Sequence, residues 1–140
     1  MIRAAVALDT NVLSEIMRSG PDPRVVRFVS ELDDPLVSAA VFHELSYGVA
    51  RLPLGQRKSR MALEIEAFFV RYEKRIVAVD FAVAKISGQL RAKAQGMGRV
   101  LEPMDALIGA SALHVGAKLA TRNIKHFVDL GIELVNPWIP

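Results

Sequence analysis

Apolar residues follow two rhythms along this chain. Unbroken short runs at residues 4–8 (AAVAL), 35–39 (PLVSA), 75–79 (RIVAV) and 117–121 (AKLAT) have the length of strands. Between them, apolar positions recur three and four apart, the spacing of helices. Val25, Phe28, Val29 and Leu32 mark a helix over residues 24–32, and Val41, Leu45, Val49 and Leu52 another over residues 40–51, stopped by Pro53. Leu63, Ala67 and Val70 mark one side of a longer helix over residues 55–72. Asp80 is placed to cap a helix reaching residue 95, and Pro103 to open one over residues 104–115. Residues 11–17 read as a turn or two of helix ended by SGPDP, and IELVN near the end as a fifth strand.

This alternation of strand and helix predicts an α/β sandwich around a mostly parallel sheet. In such folds ligands sit beyond the carboxyl ends of the strands. Asp9 ends the first strand, and Thr121 and Asn123 end the fourth, so LDTN and ATRN carry parallel chemistry.

Composition narrows the class. With 140 residues, 51% hydrophobic and 24% charged, the chain is expected to form one domain over 1–140. A chain of this length buries about 65–70% of its unfolded surface. No repeat or linker interrupts it. The absence of cysteine excludes disulfides and thiolate metal sites and suits a reducing cytoplasm. The apolar stretch beside Arg3 ends at Asp9, too soon for a signal peptide, and no membrane-spanning run follows. The formal charge is +3. Basic residues gather at Arg51, Arg57, Lys58 and Arg60, at Arg91, Lys93 and Arg99, and at Arg122 and Lys125. Such groups attract polyanions, although a solvated helix face explains any one of them alone.

Three acids have neighbours unsuited to a solvated charge. Asp9 follows five apolar residues, Glu44 lies beside the apolar stripe of its helix, and Asp105 opens the apolar segment DALIGASALHVGA. Each also has a structural explanation: a helix cap for Asp9, an ion pair for Glu44, a helix-dipole contact for Asp105. Were they to converge, two charges about 4 Å apart would repel by roughly 4 kcal/mol at an effective dielectric of about 20. Protonation relieves that repulsion, and so does Mg²⁺ or Mn²⁺, whose preferred ligands are carboxylate oxygens. Such an ion also lowers the pKa of a water it retains, readying it to attack a phosphodiester.

LDTNVLSEIMR, HELSYGVARLP, MDALIGASAL, LATRNIKHF and the closing VNPW, in that order over nearly the whole chain, resemble the PIN domain. More narrowly, they resemble the VapC/FitB-type toxins of type II toxin–antitoxin pairs. The resemblance implies a three-layer α/β/α fold and a Mg²⁺- or Mn²⁺-dependent endoribonuclease, usually a homodimer. It also implies inhibition by a small antitoxin, through which the complex binds promoter DNA. By motif position Asp9, Glu44 and Asp105 match the family's three core acids, and Asn11 and Thr121 match polar residues near the metal. A fourth acid is usual two or five residues after the threonine; here Asn123 and His126 occupy those positions. Glu102 stands where many relatives are uncharged, and reads as a helix-start acid. His126 reads as surface polarity, His114 as a core residue, and His43 has no role in the site.

The expected function is therefore RNA hydrolysis. Asp9, Glu44 and Asp105 hold the metal, Thr121 and Asn123 position water or the metal shell, and Arg51, Arg91 and Arg122 hold RNA. The alternative is a catalytically weak or inert module that acts by antitoxin binding and promoter regulation. A haloacid-dehalogenase-like phosphatase also begins with a strand-end Asp but needs a second one two residues on, where this chain has Asn11. GMGR at 96–99 lacks the spacing and the Lys-Ser/Thr pair of a phosphate loop and reads as a turn after a helix.

Overall fold

Three side chains decide where the chain leaves the sheet. In the computed structural model, which describes residues 5–139, Asp9, Ser38 and Asp80 each accept a hydrogen bond from the backbone of the following helix. The elements run β1 (Val6–Leu8), α1 (Thr10–Met17), α2 (Pro23–Ser30), β2 (Val37–Ser38), α3 (Ala39–Ala50) and α4 (Gln56–Tyr72). A single 3₁₀ turn (Glu73–Arg75) leads into β3 (Ile76–Val77), and α5 (Phe81–Gly96), α6 (Pro103–His114), β4 (Lys118–Ala120), α7 (Ile124–Phe127) and β5 (Leu134–Val135) follow. Every expected strand appears, each shorter than its apolar run. Ala39 belongs to α3 because Ser38 caps that helix, and the 3₁₀ turn takes Arg75. Ala4, the expected start of β1, lies outside the described residues, as does Arg3.

All strand pairings are parallel: β1 with β4, β4 with β5, and β2 with β3. A bridge between Ala7 and Leu36 joins the two groups, with Leu8 N–H donating to Leu36 O at 2.9 Å and Leu36 N–H to Val6 O at 2.8 Å. The order is therefore β3-β2-β1-β4-β5 in a three-layer α/β/α sandwich. The chain builds outward from β1 on one side, then crosses to lay β4 and β5 on the other. That reversal opens a crevice beyond the ends of β1 and β4.

One apolar cluster joins strands and helices, with Leu8, Leu13, Val41, Ile108, Leu119 and Phe127 among its most enclosed members. The central α6 is buried around most of its circumference, as its composition predicts. A Cβ on its Gly109 would lie 2.9 Å from Ile132 Cδ1 and 3.4 Å from the Phe127 ring, so glycine permits the close approach of these side chains.

The structure decides two helix faces, and one of them overturns an expectation. Leu63, Ala67 and Val70 lie on the exposed side of α4, while Ile65, Phe68 and Tyr72 face the core. Both sides of that helix are apolar, and the larger aromatic stripe is the buried one. His114, expected as a core residue, is instead exposed at the last turn of α6. Among the described residues no helix is long and apolar enough to cross a membrane.

Candidate active site

The end of β1 is tied to the end of β4 by Asp9 N–H, which donates to Ala120 O at 2.9 Å. This brings LDTN against ATRN. Asp9 Oδ1 accepts from Thr10 N at 2.7 Å and thereby caps α1. Its Oδ2 accepts from Thr121 Oγ1 at 2.7 Å and from Asn11 Nδ2 at 3.2 Å. The fully buried Thr121 hydroxyl also accepts from Asn123 N at 3.0 Å and from Asn11 Nδ2 at 3.3 Å. One donor and two lone pairs are thus all used. Asn11 Oδ1 accepts from Arg122 N at 3.3 Å, closing the link between the two strand ends.

Glu44, half-buried on α3, accepts at Oε1 from Thr10 Oγ1 at 2.6 Å. Asp105, in the first turn of α6, places Oδ2 3.2 Å from His126 Nδ1. Asp9, Glu44, Asp105 and Asn123 line one cleft of about 510 Å³, together with the guanidinium side chains of Arg18, Arg57 and Arg122.

Burial governs the charge state of two of these acids. It pushes the pKa of Asp9 up to about 6; the hydrogen bonds from Thr121 and Thr10 pull the other way, and the negative charges of Asp105 and Glu44 add to the rise. Asp105 is also raised, first by burial, against the lowering effect of His126, with a further push from Glu102. Glu102 itself is exposed at the N-cap of α6. The folded protein thus holds a proton on Asp9 more tightly than the unfolded chain does. This contributes stability that is full below the ordinary carboxylate pKa of 3.8 and is lost as pH rises through about 6. At about 1.4 kcal/mol per pKa unit, roughly 2–3 kcal/mol of stability disappears across that window. Asn at position 9 cannot ionise. In the presence of EDTA, the melting temperature of Asp9→Asn should therefore gain on that of the parent between pH 4 and pH 7. A constant gap across that range would show that Asp9 titrates normally.

His126 corrects an expectation: it is not free surface polarity but the partner of Asp105. Arg99 holds it there, donating from Nη2 to His126 O at 3.2 Å and from Nη1 to Val128 O at 2.7 Å. Gly98, with φ of +75°, makes the turn that delivers Arg99, which gives the GMGR segment a structural purpose.

The expected RNA-holding arginines separate. Arg122 lines the cleft with its guanidinium 5.2 Å from the Trp138 ring centre. Arg51 stands in an adjoining hollow, over Tyr47 at 5.1 Å. Arg91 is not in the acid cleft; late in α5, it donates from Nε to Leu101 O at 3.3 Å.

Sequence reasoning missed Arg18 and Glu15, and saw Arg57 only as one of a basic cluster. Glu15 is buried at the cleft wall and accepts from Arg18 Nη1 at 3.1 Å and from Asp22 N at 2.9 Å. Its position three residues after the buried Val12 carried that signal.

Among the described residues no group of three or more His, Asp or Glu side chains stands as a finished metal cage. Each of the three acids instead has a protein partner: Thr121 and Asn11 donate to Asp9, Thr10 donates to Glu44, and His126 pairs with Asp105. Their chemistry nonetheless suits a hard divalent cation. All the donors are carboxylate oxygens, and the buried charge of Asp9 calls for a neutralising partner.

The chain has close counterparts. The PIN domain profile matches residues 6–132. "Toxin FitB" of Neisseria gonorrhoeae is 34% identical over 136 residues, covering 95% of this chain and 98% of that protein. "VapC ribonuclease Y4jK" of Sinorhizobium fredii is 30% identical over 138 residues, covering 96% and 99%. The crystal structure of FitAcB from N. gonorrhoeae superimposes with a TM-score of 0.89 at 33% identity, over 96% of this chain and 99% of that one. That of FitAB bound to an IR36 DNA fragment does so with a TM-score of 0.86 at 33% identity, over 95% of both chains. A parallel sheet reversing between β1 and β4, an acid at that reversal and full-length similarity of this degree lead to one assignment: the chain belongs to the PIN domain family.

Proposed function

We propose that this protein is a Mg²⁺- or Mn²⁺-dependent endoribonuclease and the toxin of a type II toxin–antitoxin pair. The observation that carries this reading is a buried, proton-hungry Asp9 at the reversal of the sheet, in one cleft with Glu44 and Asp105. Asp9, Glu44 and Asp105 would hold the cation. Bound there, it would supply Lewis-acid stabilisation of phosphate charge and a water of lowered pKa.

The chain's own groups do the rest. Thr121 and Asn11 fix the orientation of Asp9 by occupying Oδ2, and Thr10 fixes Glu44. Asn123, at the head of α7, lines the cleft where water is to be positioned. Arg122 presents a guanidinium to phosphate while the Trp138 ring lies against it, 5.2 Å away. A cleft with acids at its base and arginines around it brings a polyanion to carboxylates that would otherwise repel it.

The proposed partners are an RNA substrate, a cognate antitoxin and a second copy of the chain, with promoter DNA reached through the antitoxin. The similarity to FitB and to the FitAB–DNA complex supports the antitoxin and DNA roles. Leu63, Val70 and Phe81 are exposed at 72%, 70% and 83%, which suits burial in an assembly.

The His126–Asp105 pair favours one other reading, the inert module, because the imidazole competes with a cation for Asp105. Calorimetric titration with MnCl₂ separates the two. The ribonuclease reading expects saturable binding at micromolar to millimolar Mn²⁺ that disappears in Asp105→Asn. A folded parent that takes up no Mn²⁺ at millimolar concentration, and cleaves no RNA, is the inert module.

A further inference from the structure

The acid cleft does not end at Glu44. A second hollow of about 230 Å³ shares Ser14, Glu44, Arg57 and Met61 with it and continues along the corner between α3 and α4. Its floor is apolar, formed by Met17, Leu45, Val49 and Leu52. Arg57 stands at the junction of the two spaces, and Arg51 lines the far part. Beside it, Tyr47 is 62% exposed with the Arg51 guanidinium 5.1 Å from its ring centre. Lys58 Nζ donates to Ala50 O at 2.9 Å and Arg60 Nη1 to Met17 O at 3.4 Å, so the corner is braced on both sides.

The two ends of the combined groove differ. At one end Arg122 covers Trp138, which is only 6% exposed and offers no open face. At the other, beyond Arg51 and outside the lining of the hollow itself, Tyr47 projects into solvent. An exposed tyrosine flanked by arginine, beside a hollow that runs on from the proposed phosphate-cleaving centre, is the arrangement by which unpaired bases are held. The base stacks on the ring, and the guanidinium meets the backbone.

Resting on the ribonuclease reading above, we propose that the α3–α4 hollow is a subsite for an unpaired nucleotide flanking the scissile phosphate. Arg57 holds the intervening phosphate, and Tyr47, steadied by Arg51, stacks the base. A duplex cannot present a base to this platform, because its bases are already stacked on one another. The subsite therefore selects single-stranded segments of RNA by stacking rather than by reading base edges.

Binding rather than cleavage tests this. In the Asp9→Asn background, anisotropy of a fluorescein-labelled single-stranded 12-mer RNA is measured against the same sequence as a duplex. Tyr47→Ala should weaken single-strand binding by about ten-fold, in the range found for loss of one stacking aromatic, and leave duplex binding unchanged. Tyr47→Phe should bind as the background does. Arg57→Ala should weaken binding and lower the slope of log affinity against log salt by about one contact, roughly 0.7 for a single strand. Both side chains are exposed, and unchanged melting temperatures would confirm that the variants fold. Parent-like RNA affinity in both variants would overturn the subsite while leaving the ribonuclease reading intact. Parent-like RNA affinity with loss of antitoxin binding would overturn it in favour of a protein-binding groove. Absence of RNA binding and of cleavage in every form, parent included, would sink the ribonuclease reading itself.

Discussion

Asp9→Asn lowers RNA cleavage by about three orders of magnitude while the protein stays folded. The size follows from what the carboxylate is proposed to do. Charge stabilisation by a bound cation is worth several kcal/mol in the transition state, and each 1.36 kcal/mol is ten-fold in rate. Removing a ligand from the cation forfeits most of that. The fold survives because Asn keeps Oδ1, which accepts from Thr10 N and caps α1. The changed atom faces Thr121 and Asn11, whose side chains must reorient. That costs about 1 kcal/mol of hydrogen bonding, less than the strain relieved by removing a buried charge at neutral pH. Without metal, the variant is therefore expected to be at least as stable as the parent at pH 7.5. With Mn²⁺ the order reverses, because only the parent gains from a ligand that binds the folded state. Single-turnover cleavage with melting curves in EDTA and in MnCl₂ checks all three statements. A folded Asp9→Asn protein that cleaves at the parent rate refutes the assignment.

The same residue shows how far the sequence could be read. An acid directly after an apolar run was legible as a cap or a ligand. The structure shows one oxygen capping and the other facing the Thr121 network. Strand and helix rhythm located every strand and the six longer helices, because those patterns are local, but not the 3₁₀ turn or the single-turn α7. Element ends were less legible, since Ser38 and the 3₁₀ turn at Glu73–Arg75 decide them through single hydrogen bonds and turns. The buried face of α4 was not legible because two apolar stripes compete there, and only tertiary packing chooses Ile65, Phe68 and Tyr72 over Leu63, Ala67 and Val70. Phe69 illustrates the difficulty: it is 44% exposed yet meets Phe42 edge-on at 6.3 Å.

Contacts between distant segments were the hardest to foresee. His126 reaches Asp105 from 21 residues away, and it does so because Arg99, delivered by a glycine turn, holds the α7 backbone in place. No periodicity encodes that arrangement. Clustering of basic residues was likewise a weak guide. Arg91 and Arg122 look alike in sequence, but one serves the end of α5 and the other the cleft. Charge alone does not locate a side chain; the strand end that carries Arg122 does.

Thr121→Val weakens Mn²⁺ binding by about ten- to a hundred-fold, the range typical of losing a residue that orients a metal ligand. Valine fills nearly the same volume at this fully buried position, so the core remains packed. What goes is the hydroxyl that donates to Asp9 Oδ2 and accepts from Asn123 N and Asn11 Nδ2. Of the effects that lower the pKa of Asp9, the Thr121 bond is the largest, so its loss moves that pKa upward, above about 6. Since a metal must displace that proton, binding becomes more pH-dependent, and its half-saturation at fixed Mn²⁺ moves to higher pH. The freed Asn123 N–H and the less well-solvated carboxylate together lower stability by about 1–3 kcal/mol at neutral pH. Thr121→Ser keeps the hydroxyl and should restore both affinity and pH profile, with a small loss from the missing methyl. Titrations of the parent and both variants with MnCl₂ at pH 6, 7 and 8 decide the matter. Equal affinities and an unmoved pH profile in Thr121→Val would mean that Asp9 is oriented by Thr10, Asn11 and the strand end without Thr121, and that the ATRN segment shapes the fold rather than the site.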